Sequence, residues 1–136
     1  MEVIDSRQTS LCYGWMAIEA APAARAGKNL DKIVALVKEM IPKTKMIVTA
    51  DTLKYLYMGG RIGKAQALMG SILKINPIIT LRDGLVEPAG RTRSRAKAID
   101  HLAGFVMSYA HIEEMAIEAA ATPDDAEALA ERLSAK

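Results

Sequence analysis

Apolar residues recur through most of this chain with the period of a helix, and the exceptions are short. "MEVIDS" opens strand-like and stops at Asp5 and Ser6, either of which can cap a helix. Leu11, Trp15 and Ile18 then stand at i, i+4 and i+7, one face of a helix. Pro22 falls inside that pattern and is expected to kink the helix or end it. Gly27 punctuates, Asn29 is placed to cap, and Leu30, Ile33, Val34, Val37 and Ile41 draw a second amphipathic stripe.

The pattern then shortens. "KMIVTA" at 45–50 is β-prone, and Asp51 or Thr52 starts a helical turn that Gly59 and Gly60 close. Another helix is predicted from near Gly63, carrying Leu68, Met69, Ile72 and Leu73. "PIITLRDGLVEP" holds two strand-like runs joined by Asp83-Gly84, the signature of a tight hairpin. Residues 96–112 read as a long helix with Ile99, Leu102, Val106 and Tyr109 on one side. "EMAIEAA" is a strand candidate that its alanines weaken. Thr122-Pro123-Asp124-Asp125 combines a capping hydroxyl, a first-turn proline and two acids, which starts a last helix. The expected fold is α/β, with α+β as the alternative: a mixed sheet with a tight Asp-Gly hairpin, covered by helices.

Composition sharpens this picture in two places. With four Tyr, one Trp and one Phe against eight Met, the core must be aliphatic. The formal charge is only +2, but its signs are segregated. Arg82, Arg91, Arg93, Arg95 and Lys97 crowd one segment, while residues 113–136 are mainly acidic. The basic segment suits an anionic ligand or partner, or is a solvated helix start. The N-terminus lacks the order of a signal peptide, and the apolar stretch at 65–81 is interrupted by Lys74, Asn76 and Pro77. A cytoplasmic protein with no integral membrane segment is the expectation.

"GGRIGKA" at 59–65 is the most suggestive site motif. It is not a nucleotide P-loop, because Gly59 and Gly63 are separated by three residues and Ala65 follows Lys64. What remains is a glycine turn before a helix start where Arg61 faces an anion, or a helix C-cap with a solvated arginine. Arg91, Arg93 and Arg95 alternate, so in an extended segment they share a face suited to carboxylate or phosphate. No aromatics are interleaved for stacking on bases, which speaks against nucleic acid. His101 and His111 lack a carboxylate at ligand spacing, so no metal is expected, and no serine has a base at motif spacing. The lone Cys12 lies in an apolar helical pattern and reads as a small buried hydrophobe. No catalytic residue is expected, and no cofactor.

Three stretches together resemble one family: "VIDS" before a helix, "DTLKYLYMGGRIGKAQALMGSILKINPIITLRDGLVEP", and "GRTRSRAKAIDHL". Their order and spacing are similar to the bacterial DegV-like proteins, the fatty-acid-binding subunits of fatty acid kinase, over roughly residues 3–134. The resemblance implies a two-domain α/β molecule with a long-chain fatty acid between the domains. A separate kinase subunit would convert the presented carboxylate to acyl phosphate, so this chain would be a binding protein and not an enzyme. Arg61 would belong to the head-group network, and Arg93 would face the carboxylate or the docked kinase. Met69, Ile72, Leu73 and Ile78 would line the acyl chain, methionine suiting a flexible ligand, or would be plain core.

Against the family pattern, the chain is about half as long, and the Thr and Ser that hold the carboxylate belong to the first domain. A C-terminal Gly-Thr-His-type motif is not found after Lys136, and Glu118 stands where the family's histidine is usual. Residues 1–8 then read as the end of a first-domain strand and a linker, and 9–136 as a second domain lacking its C-terminal strand. Such a piece is expected to associate with itself. A different reading makes the arginine strip a docking surface for an acidic protein. A small enzyme acting on a phosphorylated metabolite would need a base or nucleophile beside Arg61 and Arg93, and the sequence supplies none.

Overall fold

A computed structural model describes residues 1–70 and 75–134. They form two compact units, one of Met1–Met46 with Leu81–Leu85 and one of Ile47–Thr80 with Val86–Lys136.

The first unit is a helix pair with the hairpin turn. Residues 1–9 form no strand, contrary to the reading of "MEVIDS", because no neighbouring strand among the described residues pairs with their backbone. Asp5 and Ser6 accept instead from the backbone N–H groups of Arg7 and Gln8, so both act in the lead-in and Thr9 takes the cap position. Helix α1 (Ser10–Arg25) does not end at Pro22. That proline lies in its last turn, where only one ladder bond is lost. Helix α2 (Leu30–Lys43) starts as expected, with the Asn29 side-chain oxygen Oδ1 accepting from Lys32 N–H at 3.1 Å. On its exposed face the Lys43 ammonium, 2.6 Å from Glu39, hydrogen-bonds that carboxyl and lowers its pKa. Met16 and Ala23 of α1 are buried, whereas α2 has no buried residue. Cys12 is half-buried, its Sγ 3.9 Å from the Lys45 carbonyl.

The hairpin turn is of the kind that matches strand twist: Asp83 and Gly84 both have positive φ, 51° and 78°. Arg7 reaches Asp83 Oδ1 at 3.3 Å.

The second unit is built on a three-stranded sheet in the order β1 (Ile47–Thr49), β2 (Asn76–Arg82), β3 (Leu85–Thr92). Strands β1 and β2 are antiparallel, with Val48 opposite Ile79, and the two-residue turn makes β2 and β3 antiparallel too. The parallel part of a mixed sheet is not among the described pairings. Helix α3 (Lys54–Met58) and a 3-10 helix (Gly63–Leu68) follow β1. Leu53, Ile62, Ala65 and Ile79 form one buried cluster, with Val48, Leu56, Leu68 and Val86 packed around it.

Helix α4 (Arg95–Met107) is capped by the Ser94 side chain and stops short of the expected residue 112. Ser108 closes it: its N–H is shared between the Gly104 and Phe105 carbonyls and its hydroxyl donates to Phe105 O at 2.6 Å. The Tyr109 ring then packs edge-on against Phe105, 5.3 Å away. "EMAIEAA" is not a strand, since no described strand lies beside it; Ile117 instead packs on a second cluster of Ala103, Leu129 and Leu133. Helix α5 (Pro123–Leu133) begins where Thr122-Pro123 placed it.

Candidate functional site

The glycine-rich turn is built from two anchors. On its upstream side α3 ends in a double reverse bond: Arg61 N–H donates to Leu56 O at 2.8 Å and Gly60 N–H to Tyr57 O at 3.0 Å. Gly60 sits between them at φ +67°, the left-handed residue of a Schellman cap. Downstream, Ile62 is 6% exposed and joins the Leu53–Ile79 cluster. Gly63 follows at φ +52°, and a Cβ there would lie 2.5 Å from the Val86 carbonyl oxygen. Gly63 is therefore required by the close approach of two backbones. Lys64 Nζ donates to Glu87 Oε1 at 2.5 Å and extends the same seam between turn and β3.

Between these anchors Arg61 is exposed. Its Nη1 donates to the Gly59 carbonyl at 3.1 Å, within its own turn. A guanidinium has five N–H donors, so most of its capacity faces solvent beside a fixed backbone. Of the alternatives in the sequence, the C-cap is formed here and the arginine beside it is exposed.

The arginine strip does not survive as one face. Arg91 is the penultimate residue of β3, Arg93 lies in a bend, and Arg95 is the first residue of α4. Arg95 is drawn inward to three partners: Asp125 Oδ2 at 2.8 Å, the Thr122 hydroxyl at 3.0 Å and Asp51 Oδ1 at 3.4 Å. Thr122, the expected α5 cap, makes no side-chain capping bond. Arg93 is exposed and has no hydrogen bond or ion pair among the described residues.

Of the proposed acyl-chain residues, Met69 is 39% exposed and Ile78 is completely buried. Ile72 and Leu73 lie outside the described residues. A surface cavity of about 340 Å³ belongs to the first unit, lined by Glu2, Leu30, Asp31, Val34, Ala35 and Lys38, and includes none of the four. Among the described residues no group of three His, Cys, Asp or Glu side chains is placed to hold a metal ion. His101 lies over Gly90, its Cε1 3.1 Å from where a Cβ would stand. Among the described residues no helix is long and apolar enough to cross a membrane. The Lys64–Glu87 pair and the Arg95 clamp carry no local sequence signal, since each joins residues more than twenty positions apart.

The family model for DegV, described as an uncharacterised protein family, matches residues 1–136. The chain belongs to the DegV family. A DegV domain-containing protein of Streptomyces coelicolor is 37% identical over 135 residues, covering 98% of this chain and 48% of the relative. The DegV chain thus spans about half the length of that relative. A fatty-acid-binding DegV family protein from Streptococcus agalactiae superimposes with a TM-score of 0.86 at 27% identity, over 98% of this chain and 48% of that one. A DegV protein from Thermus thermophilus, whose structure is described as showing fatty acid binding, gives 0.70 at 34% identity over 78% of this chain and 38% of that one.

Proposed function

We propose that this chain forms part of a fatty-acid-binding protein and that Arg61 pairs with the acyl carboxylate. The observation that carries the reading is the anchored turn. Its backbone is fixed on both sides of an exposed guanidinium with only one internal bond. Such a group, with most of its N–H donors unused, is suited to charge-assisted bonds with a carboxylate. The solved DegV relatives described as fatty-acid-binding supply the ligand class.

In this reading the ligand is a long-chain fatty acid, with Met69, Ile72, Leu73 and Ile78 on the side of the acyl chain. Ile78, being buried, would act by shaping the wall and not by touching solvent. Arg93, unpaired and exposed, faces the carboxylate or a separate kinase that phosphorylates it. The chain is a carrier in the cytoplasm and leaves catalysis to that partner.

Purified chain is extracted into organic solvent and analysed by mass spectrometry, then titrated with palmitate. A co-purifying long-chain fatty acid, or saturable palmitate binding, supports the reading. A chain that carries no acyl group and takes up none overturns it.

A further inference from the structure

Around the glycine turn the chain is rich in cations and free of acids. Lys54, Arg61, Lys64, Lys74 and Arg82 fall between Thr52 and Arg82 with no Asp or Glu among them. The carboxylate that meets Lys64 comes instead from β3, as Glu87. The Glu87 side chain is 15% exposed and that of Lys64 is 67% exposed. The strand fixes the acid, and the flexible lysine comes to it. Val86 and Gly63, their neighbours in sequence, touch backbone to backbone in the same seam.

Lys64 is three residues beyond Arg61, and its charge, if not neutralised, adds to that of the guanidinium. A carboxylate gains one unit of attraction from the added charge, whereas an alkyl phosphate dianion gains two. We propose that Glu87 sets head-group specificity: by holding Lys64 on β3 it leaves Arg61 as the unneutralised cation of the turn, which favours carboxylate over phosphate. Glu87 does not touch the ligand in this scheme and is a positioning residue. The inference rests on the head-group role of Arg61 proposed above.

The test is the ratio of affinities for palmitate and hexadecyl phosphate, at mildly alkaline pH and low salt. It is measured on the parent chain, Glu87→Gln, Lys64→Met and the double variant. Glu87→Gln is expected to move the ratio toward the phosphate by roughly threefold or more. Lys64→Met, which leaves the Glu87 carboxylate without its counter-ion, should move the ratio the other way, toward palmitate, and the double variant should return to the parent ratio. A merely structural role would lower both affinities together, so an unmoved ratio in Glu87→Gln overturns the proposal. Should that variant lose its cooperative melt, Glu87→Asp, with its shorter reach, takes its place with a shift expected in the same direction. Arg61→Ala is measured in parallel. If it leaves palmitate binding unchanged, or the parent binds no palmitate, the head-group reading fails and takes this inference with it. A parent that binds through Arg61 with an unmoved ratio sinks the inference alone.

Discussion

A Cβ on Gly63 would stand 2.5 Å from the carbonyl oxygen of Val86. No side chain is tolerated at that distance, and the clashing atom is backbone of β3. Gly63→Ala must therefore part the turn from β3 while also holding alanine at φ +52°. The backbone conformation alone costs on the order of 1–3 kcal/mol, so a loss of about 2 kcal/mol or more is expected. Urea denaturation measures it; an unchanged midpoint would mean that the two backbones separate at little cost.

Arg95 ties the start of α4 to Asp125, Thr122 and Asp51. Arg95→Met keeps the side-chain bulk and strands Asp125, whose side chain is 35% exposed, so solvent and the positive end of α5 compensate part of the loss. A cost of roughly 1–2 kcal/mol follows. The Arg132–Asp100 pair is a control: it is as short, at 2.6 Å, but its side chains are 50% and 60% exposed. Arg132→Met should cost below about 1 kcal/mol. Equal melting losses in the two variants would deny Arg95 its role as a clamp.

Arg61→Ala removes a charge-assisted contact worth on the order of 1.5–3 kcal/mol, so palmitate affinity should fall by about tenfold to a hundredfold. Arg93→Ala is expected to impair acyl-phosphate formation, with a kinase supplied, more than palmitate binding. Equal losses in both assays would put Arg93 in the binding network. No loss in either would make it a solvated side chain.

Self-association is the outcome expected from the exposed apolar surface. Tyr13 and Ile18 on α1 are each 56% exposed, and Tyr55 and Met58 on α3 are 74% and 69% exposed. Strands β1 and β3 are the outer strands of the described sheet, the positions at which a strand of another copy would add. A specific interface typically buries roughly 800 Å² on each partner, and a symmetric dimer is the simplest product. Sedimentation across a concentration series checks this. A clean monomer at high micromolar concentration is the contrary result.

Elements whose signals are local were legible before any fold was known. Asn29 caps α2, Asp83-Gly84 turns the hairpin, and Thr122-Pro123 precedes α5 because each acts on backbone within a few residues. The glycine turn was legible as an element too, as a helix-ending cap followed by an arginine. Signals that needed a neighbour misled. "MEVIDS" and "EMAIEAA" have strand-like composition, but a strand exists only where another pairs with it, and the described sheet passes both by. The far end of α4 was overestimated for a related reason. Apolar spacing continues through Tyr109, while Ser108 competes for the last carbonyls and closes the helix.

The arginines divide along the same line. By itself the sequence determined that Arg61 would follow a helix-ending glycine pair, because that geometry is closed by hydrogen bonds spanning at most five residues. Only the tertiary structure decided that Arg95 would be consumed by Asp125 and Asp51 while Arg93, two residues earlier, stays free. Only it decided that Lys64 would be neutralised from β3. Charge pairing depends on which carboxylates are brought within a few ångströms, and partners 23 to 44 positions apart in the chain meet only once the helices and sheet have packed.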